Sequence, residues 1–326
     1  MPNWVFNTLD NYPKELYNKY KSDDGERDID FNKIIPEPEE ITNTPSGSFN
    51  NVSKAIYQYK EYYKDLNSAQ KTYMQYDHDN PLKDMVKDTA YDTITSMGEL
   101  AIENPDESLH EILDKDDNKF AKNKYEKYVN IFGNNAYSTC KDFPKIYENY
   151  IKEEEKSFEE YKERDKNSKY SDKACQQYDN LESMGKQLVE LKEKYGFDNW
   201  YDWRTANWGT KWNACDTNYD KDSESLRFDT AWSIPYPILT KMAKDNPNSE
   251  INGYSEEETG WFEEYDLKDG VVKINARGEN VYDEEKDETH EERENLNPPE
   301  ILTYDEFIET SRKEWSSFVD GFGKRF

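Results

Sequence analysis

Two kinds of sequence pattern alternate along this chain, and their order is what most limits its possible folds. Residues 1–50 and 197–280 contain short segments rich in aromatic and β-branched residues, a pattern typical of strands. Residues 51–196 instead repeat apolar residues every three or four positions, which is typical of amphipathic helices. This order predicts an α+β fold that a helical domain interrupts.

The first strand-rich part reads as strand, helix, strand. Residues 3–9 are aromatic and β-branched, and the helix that follows starts near Pro13 and stops at Gly25. Residues 29–35 then alternate apolar and polar side chains until Pro36, which indicates a second strand. We therefore expect one β-α-β half of a sheet here.

The second strand-rich part repeats this order and adds a hairpin. A strand is predicted at residues 225–232, a helix between prolines at 235–247, and a hairpin turn at Asp269–Gly270. Two β-α-β halves are the pattern of the ferredoxin-like split βαβ sheet. The predicted fold is thus α+β, a ferredoxin-like sheet with an added hairpin, interrupted by a large inserted helical domain.

An acidic segment follows the second half. Eight carboxylates fall within the twelve residues from Asp283 to Glu294, and their lack of periodicity predicts a solvated loop or a disordered segment. An amphipathic helix is predicted over residues 303–323. The predicted parts of the chain, in order, are 1–50, 51–196, 197–280 and 281–326.

The composition favours a folded chain with a thin core. A mean hydropathy of −1.23 and 35% charged residues lie close to the disordered range. However, 15% of the residues are aromatic, including 26 tyrosines, and burial of such rings offsets the entropy lost on folding. We therefore expect ordered domains with a highly solvated surface.

The charge of the chain limits its partners. The net charge is −28, and residues 196–326 carry 15 basic and 31 acidic groups. A charge of this size opposes binding to nucleic acid and to anionic membranes, so neither is predicted as a partner. It favours a basic protein surface, although mere solubility explains the same charge.

The cysteines indicate a reducing compartment. Cys140, Cys175 and Cys215 are odd in number and far apart, so we predict neither a disulfide framework nor a zinc ribbon. The first residues show neither the basic stretch nor the apolar run of a signal peptide, and no run is long and apolar enough to span a membrane. These patterns predict a cytoplasmic protein.

No motif in the sequence indicates a reaction or a cofactor. The patterns of serine hydrolases, zinc proteases, P-loops and dinucleotide-binding turns are missing. The stretch from Asp216 imitates a calcium loop, but Lys221 replaces the required glycine and Arg227 the bidentate glutamate. We predict no catalytic residue, no metal site and no cofactor. Whether the protein is an enzyme stays open, with a preference for a binding protein.

A tryptophan-rich stretch at residues 200–213 is the first candidate site. The candidate binding residues are aromatic or basic, and they are Trp203, Arg204, Trp208, Lys211, Trp212 and Trp232. Such residues can stack a base or hold an anionic group. They can equally seal a sheet against its helices, with Lys211 lying along a ring. Both readings stay open, and packing is preferred.

The acidic segment is the second candidate site. A surface for a basic partner is predicted at Asp283, Glu284, Glu285, Asp287, Glu288, Glu291 and Glu292. These carboxylates can imitate the phosphates of a nucleic acid or contact a basic groove. The alternative is that this segment is a solvated loop without a binding function, as such runs of charged residues usually are.

Four segments resemble a known family in order and placement. They are the start at Asn3–Trp4, the stretch Phe31–Pro38, the core Trp208–Asn213 and the turn Thr230–Ser233. Together they resemble the ferredoxin-fold domain of the YubB-like proteins of phages and conjugative plasmids. The resemblance covers roughly residues 1–42 and 197–280. It implies a ferredoxin-like fold and a mobile-element origin, but no catalytic residue or activity.

The preferred hypothesis is a phage or mobile-element accessory protein of the host cytoplasm. It would bind and inhibit a host protein with a basic surface, such as a nucleic-acid-binding antiviral defence factor, through its acidic and helical surfaces. The alternative is a nucleotide-binding or small-molecule-binding protein, or an enzyme, with its site at residues 200–213. A structural role in the virus particle is a third hypothesis.

Overall fold

The structure is a computed structural model, and it describes residues 3–47, 49–62, 143–166, 173–283 and 288–305. These residues form two compact units. The sheet unit comprises the described residues of 1–42 and 200–317, and the helical unit comprises those of 43–199. The chain therefore starts in the sheet unit, crosses the helical unit and returns to the sheet unit.

The described part of the sheet unit contains one antiparallel sheet of seven strands. In chain order they are β1 (Trp4–Asp10), β2 (Cys215–Asp220), β3 (Ser225–Ala231), β4 (Ile251–Glu257), β5 (Trp261–Lys268), β6 (Val271–Asp283) and β7 (Glu288–Leu302). In space they lie in the order β2-β3-β1-β4-β5-β6-β7. The first four strands have the ferredoxin-like order, and β5 to β7 extend the sheet beyond β4.

The described helices are shared between the two units. In chain order they are α1 (Lys14–Tyr20), α2 (Phe31–Ile34), α3 (Glu39–Thr42), α4 (Phe49–Tyr62), α5 (Phe143–Lys166), α6 (Leu181–Tyr195), α7 (Trp200–Trp208) and α8 (Tyr236–Asp245). A 3₁₀ turn at Ala174–Gln177 lies between α5 and α6. Helices α4, α5 and α6 belong to the helical unit, and the others belong to the sheet unit.

The predicted fold class is confirmed, because the sheet and its helices form a ferredoxin-like α+β domain. Strand β3, helix α8 and the β5–β6 hairpin lie where the patterns predict them. At the predicted turn, Asp269 and Gly270 have φ angles of 57° and 80°. Two successive positive φ angles are those of a tight hairpin turn, for which Asp-Gly is a favoured pair.

The strand predicted at residues 29–35 is wrong, since this stretch contains α2. Asp30 caps the helix, and its side chain accepts a hydrogen bond from the backbone N–H of Asn32 at 3.0 Å. Phe31 and Ile34 are three positions apart and are both buried, which one helical turn achieves and a strand does not. The Asp30 cap and the three-residue spacing of the buried side chains therefore favour a helix, although apolar and polar residues alternate here as in a strand.

The second strand of the ferredoxin-like core is β2, which the sequence patterns did not predict. It is an edge strand beside β3, and Asp216, Asn218 and Asp220 are exposed. Tyr219 is its buried residue, at 9% exposure. An edge strand with so few apolar residues lacks the alternation by which strands are recognised. The inserted helices therefore lie in the first crossover, between β1 and β2.

The prediction of a loop or disorder from Asp283 to Glu294 is also wrong for the described residues. Strands β6 and β7 pair continuously from Ala276–Asn295 to Asp283–Glu288. The described residues from Glu291 to Asn295 are all exposed. Since successive residues of a strand point to opposite faces, this part of β7 has both faces in solvent and needs no apolar alternation, and the sequence pattern therefore missed it.

The helical unit has its own apolar core. Its buried residues are Ile56, Phe158, Cys175, Tyr178, Leu181, Met184 and Leu188. Asn180 caps α6 by accepting a hydrogen bond from the Ser183 N–H at 2.8 Å, and the helix ends at Gly196 with φ 80°. This end agrees with the predicted end of the helical part at residue 196. The helices predicted between residues 63 and 142 lie outside the described residues, as does nearly all of the predicted last helix.

Helices cover one face of the sheet. On β1, Val5, Asn7 and Leu9 are buried on this face, and on β3 the Phe228 ring contacts Phe31 of α2 at 5.9 Å between centroids. Side chains alternate along a strand, so Trp4 and Phe6 of β1 belong to the opposite face. We call this opposite face of the sheet the open face.

Candidate functional site

Three of the predicted binding residues lie on α7 and pack inside the sheet unit. Trp203 and Trp208 are 6% and 2% exposed, and their ring centroids are 5.7 Å apart at an interplanar angle of 84°. The Trp208 Nε1–H donates to the backbone oxygen of Ile35 at 2.9 Å. These two tryptophans therefore serve the core, with the one polar group of Trp208 satisfied.

Arg204 is held by contacts inside the same unit. Its Nε and one terminal nitrogen donate to the two oxygens of Glu37 at 2.8 and 2.7 Å. The guanidinium also lies over the rings of Trp200 and Trp208, 5.0 and 5.1 Å from their centroids. An arginine binds a ligand through its N–H groups and through the faces of its guanidinium. In Arg204 these are already in contact with the Glu37 carboxylate and with two aromatic rings.

The other predicted residues form a second group. Helix α7 stops at Gly209 with φ 78°, and the chain then places Lys211 between two rings. Its Nζ lies 4.0 Å from the Trp212 centroid and 3.7 Å from the Trp232 centroid. Trp212 in turn contacts Trp4 at 5.8 Å. We call Trp4, Lys211, Trp212 and Trp232 the aromatic–lysine cluster.

Trp232 has a strained backbone and an exposed ring. Its φ is 72°, and its side chain is 51% exposed. A positive φ is costly for a bulky residue, and here the surrounding hydrogen bonds hold it in place. The Trp232 N–H donates to the Asn3 oxygen at 2.8 Å, and the Thr230 hydroxyl donates to the Ser233 oxygen at 2.8 Å.

Phe6 extends the cluster along the open face. The sequence patterns did not single it out as a functional residue, although the alternation of β1 places it on the same face as Trp4. Phe6 is 45% exposed, and its cross-strand neighbours are Asp229 on β3 and Glu256 on β4. Burial raises the pKa of the Asp229 carboxyl, and the charge of Asp216 adds to this effect.

Lys211 differs from most lysines of the described sheet unit. Burial between the rings lowers the pKa of its ammonium, and no carboxylate contributes to that shift. Within the described part of the chain, no acidic group lies within ion-pair distance of its Nζ. The cluster thus contains a cation whose charge is balanced only by ring faces, in a protein with a net charge of −28.

The described residues of the predicted acidic set lie at the end of β6 and on β7, and we call this strand pair the β6–β7 ribbon. Asp283 and Glu288 are paired in the strand register, and Glu284, Glu285 and Asp287 lie outside the described residues. Glu291 and Glu292 are exposed on β7. In the register, Glu292 lies directly opposite Glu279 of β6, which is also exposed.

The described residues contain neither a metal-binding group nor a membrane-spanning helix. No group of three or more His, Cys, Asp or Glu residues suited to a metal ion is found among the described residues. The described helices also include none with enough length and apolar character to cross a bilayer.

The fold and these contacts define a ferredoxin-like domain with a helical insertion and an extended acidic ribbon. Comparison with protein families agrees with this class. Residues 207–297 match the family described as a ferredoxin-like domain in Api92-like protein. This segment spans β2 to β6 and most of β7, but it leaves out β1 and the helical unit. Neither a curated protein nor a solved structure matches the chain.

Proposed function

We propose that this protein binds a basic host protein through the β6–β7 ribbon and inhibits it. The observation that carries the proposal is the group of exposed carboxylates on β7, with Glu292 and Glu294 on one face of the strand and Glu291, which pairs with Arg293 at 3.8 Å, on the other. The ribbon holds them in fixed register, so they form an ordered acidic edge. An ordered surface loses less entropy on binding than a disordered acidic tail.

The charge of the C-terminal part of the chain supports this proposal. Residues 196–326 carry 31 acidic and 15 basic groups. This excess would speed the encounter with a basic surface.

The position of β7 at the edge of the described sheet gives the partner a second means of contact. Among the described strands, β7 has a neighbour, β6, on one side only. Its other side can therefore accept main-chain hydrogen bonds from an added strand. Charged residues on an edge strand prevent the pairing of unrelated strands. A partner strand would therefore need basic residues to pair with the carboxylates of β7.

The setting that fits such a protein is a phage or plasmid acting in the cytoplasm of its bacterial host. The resemblance to YubB-like proteins supports a mobile-element origin. Mobile elements benefit from blocking host defence factors, many of which bind nucleic acid through basic surfaces. An acidic ribbon that occupies such a surface would compete with the nucleic acid and inhibit the factor without any catalysis.

The test begins with capture of the partner and continues with direct binding. The full-length protein is used as bait in a bacterial lysate, and the captured protein is then purified and titrated. The triple variant Glu291→Gln/Glu292→Gln/Glu294→Gln should bind it about tenfold more weakly, since exposed ion pairs contribute roughly 0.5 kcal/mol each. Raising the salt from about 50 to about 500 mM should remove most of this difference.

A matched variant controls for the loss of charge. Glu153→Gln/Glu160→Gln/Glu193→Gln also removes three exposed carboxylates, but from α5 and α6 of the helical unit. It should bind the partner as the wild type does. An equal loss in both triple variants would mean that only net charge matters. A loss confined to the helical variant would move the contact to the helical unit, and the ribbon proposal would be wrong.

A further inference from the structure

The aromatic–lysine cluster is a second feature that the proposed partner binding does not use. It includes Trp4, which belongs to the open face, and its Trp232 and the neighbouring Phe6 are 51% and 45% exposed. Single exposed apolar residues are common on protein surfaces, whereas grouped exposed apolar surface marks interaction sites. The cluster therefore calls for an explanation of its own.

Packing accounts for part of the cluster but not for Trp232. Trp4 and Trp212 are partly buried and contact one another, as rings that close the end of a sheet do. Trp232 has a φ of 72°, a conformation that carries strain in a non-glycine residue. Half of the residue stays in solvent, so a large part of the indole is open to a ligand. Strain of this kind is concentrated at binding sites.

The charge on Lys211 indicates the sign of the ligand. Its ammonium lies between two indoles, and no carboxylate of the described residues neutralises it. The rings fix the position of Nζ, so that a ligand anion finds the cation already ordered. A phosphate oxygen reaching Nζ would form a charge-assisted hydrogen bond.

A flat ring joined to an anion is the chemistry of a nucleotide. A nucleobase stacks on an indole whatever its sequence identity, because every base has a π-face. The Lys211 ammonium covers one face of the Trp232 indole, with Nζ 3.7 Å from the ring centroid, so a base would stack on the other face of this half-exposed ring. Base and phosphate could thus be held by adjacent side chains.

The surrounding charges favour a single nucleotide over a strand of nucleic acid. A strand requires a row of cations along its phosphates. Here Asp229 and Glu256 flank Phe6, the next aromatic residue on the open face, and the whole chain carries −28. These carboxylates would repel a second and third phosphate, while Lys211 can satisfy the first.

From this geometry we infer that the aromatic–lysine cluster binds a mononucleotide, whose base stacks on Trp232 and whose phosphate pairs with Lys211. Phe6 lies on the same face as Trp4 and adds exposed apolar surface next to the cluster. The inference concerns a different surface from the β6–β7 ribbon, and it does not depend on the partner proposed for that ribbon.

The test is a titration of the full-length protein with AMP and with GMP, in which calorimetry and tryptophan fluorescence measure the binding. Lys211→Met should weaken binding at least about tenfold, because it removes the cation. Trp232→Gly should weaken it by a similar factor, because it removes the stacking ring. Glycine adopts a φ of 72° without strain, so this variant keeps the fold, which an unchanged melting temperature verifies.

Two control variants change the same residue types elsewhere. Lys241→Met removes a lysine that is paired with Asp245 at 2.5 Å, and Trp261→Ala removes a ring that is 38% exposed on β5. Both should bind the nucleotides as the wild type does. Adenosine and inorganic phosphate, titrated alone, should each bind more weakly than AMP, since each makes only one of the two contacts.

Three results would overturn the inference. The first is the lack of saturable binding of either nucleotide up to about 5 mM. The second is inorganic phosphate binding as tightly as AMP, because the base would then contribute nothing. The third is a single-stranded oligonucleotide binding more tightly than AMP with the same dependence on Lys211 and Trp232, which would make the ligand a nucleic-acid strand.

Discussion

At the level of single residues, the Arg204–Glu37 pair explains how one half of the tryptophan-rich stretch is used. The Glu37 side chain is 3% exposed and the Arg204 side chain 20%, so the carboxylate depends on the arginine for its charge balance. Removing one partner of such a pair leaves a buried charge, which costs more than the pair contributes.

We predict that Arg204→Met lowers the free energy of unfolding by about 2–3 kcal/mol. Breaking a fully buried ion pair costs more than this, but Arg204 is partly exposed, which reduces the loss. Urea denaturation measures this loss. Arg293→Met is the control, since the Arg293–Glu264 pair is also bidentate but more than 30% exposed on both sides. It should lose less than about 1 kcal/mol. Equal losses would show that burial of Glu37 is not the cause.

A second residue-scale prediction concerns Asp198 in the helical unit. Burial favours the neutral carboxyl, but the charge and hydrogen bond of Lys54, with a hydrogen bond from Asn199, hold the pKa of Asp198 below its ordinary value. The folded state therefore releases the proton more readily than the unfolded state does. The resulting stability is fully present above the unfolded pKa of about 3.9 and is lost as the pH falls through the folded pKa.

Denaturation of the wild type and of Asp198→Asn at pH 7, 5, 4 and 3 tests this linkage. The wild type should be the more stable at pH 7, and the difference should shrink as the pH falls below about 4. A difference that stays constant over this range would contradict the lowered pKa.

At the level of elements, α4 and α6 cross closely at Gly185. A Cβ at this position would lie 1.9 Å from the backbone oxygen of Ser53 and 2.9 Å from the Lys54 nitrogen. Both contacts are with backbone, so the helices would have to separate. The crossing explains why a glycine occupies the middle of a helix, where it costs about 1 kcal/mol relative to alanine.

Gly185→Ala should therefore lower the melting temperature and destabilise the protein by about 1–3 kcal/mol, because the clash exceeds the gain in helix propensity. Gly47→Ala is the matched control, since nothing lies within 4 Å of its Cβ position. Thermal unfolding followed by circular dichroism compares the two. A Gly185→Ala protein as stable as Gly47→Ala would mean that the helices cross further apart.

The elements also show how far sequence patterns reach. Strands with one buried face, such as β3 and β5, and helices with a cap and an apolar stripe, such as α6, could be predicted because local chemistry and burial agree in them. Strand β2 and the outer part of β7 could not, since exposed edge strands carry no apolar alternation. Residues 29–35 alternate like a strand, but the Asp30 cap decides for a helix.

The candidate site was predictable in composition but not in arrangement. The residue types of the stretch from Trp203 to Trp212 identify an aromatic and basic region. Which of them face the core depends on Gly209, whose φ of 78° turns the chain out of α7. The pairing of Arg204 with Glu37 and the placement of Trp232 over Lys211 join segments far apart in sequence. Such contacts follow from the fold and not from local patterns.

At the level of the whole molecule, the chain combines a ferredoxin-like sheet with an insertion in its first crossover. A crossover tolerates a long insertion because the entropy of closing a loop grows only slowly with its length. The sheet keeps one face for its helices, exposes the aromatic–lysine cluster on the other, and presents the acidic β7 at its edge. Partner binding at the edge and nucleotide binding on the open face would thus use separate surfaces.

The central claim is that the β6–β7 ribbon is the surface that contacts the partner. Hydrogen exchange of the protein, alone and in complex with the captured partner, measures this contact directly. We predict that backbone amides of residues 288–294 exchange more slowly in the complex, with smaller changes in α4, α5 and α6. Slower exchange confined to those three helices, with the ribbon unchanged, would contradict the claim.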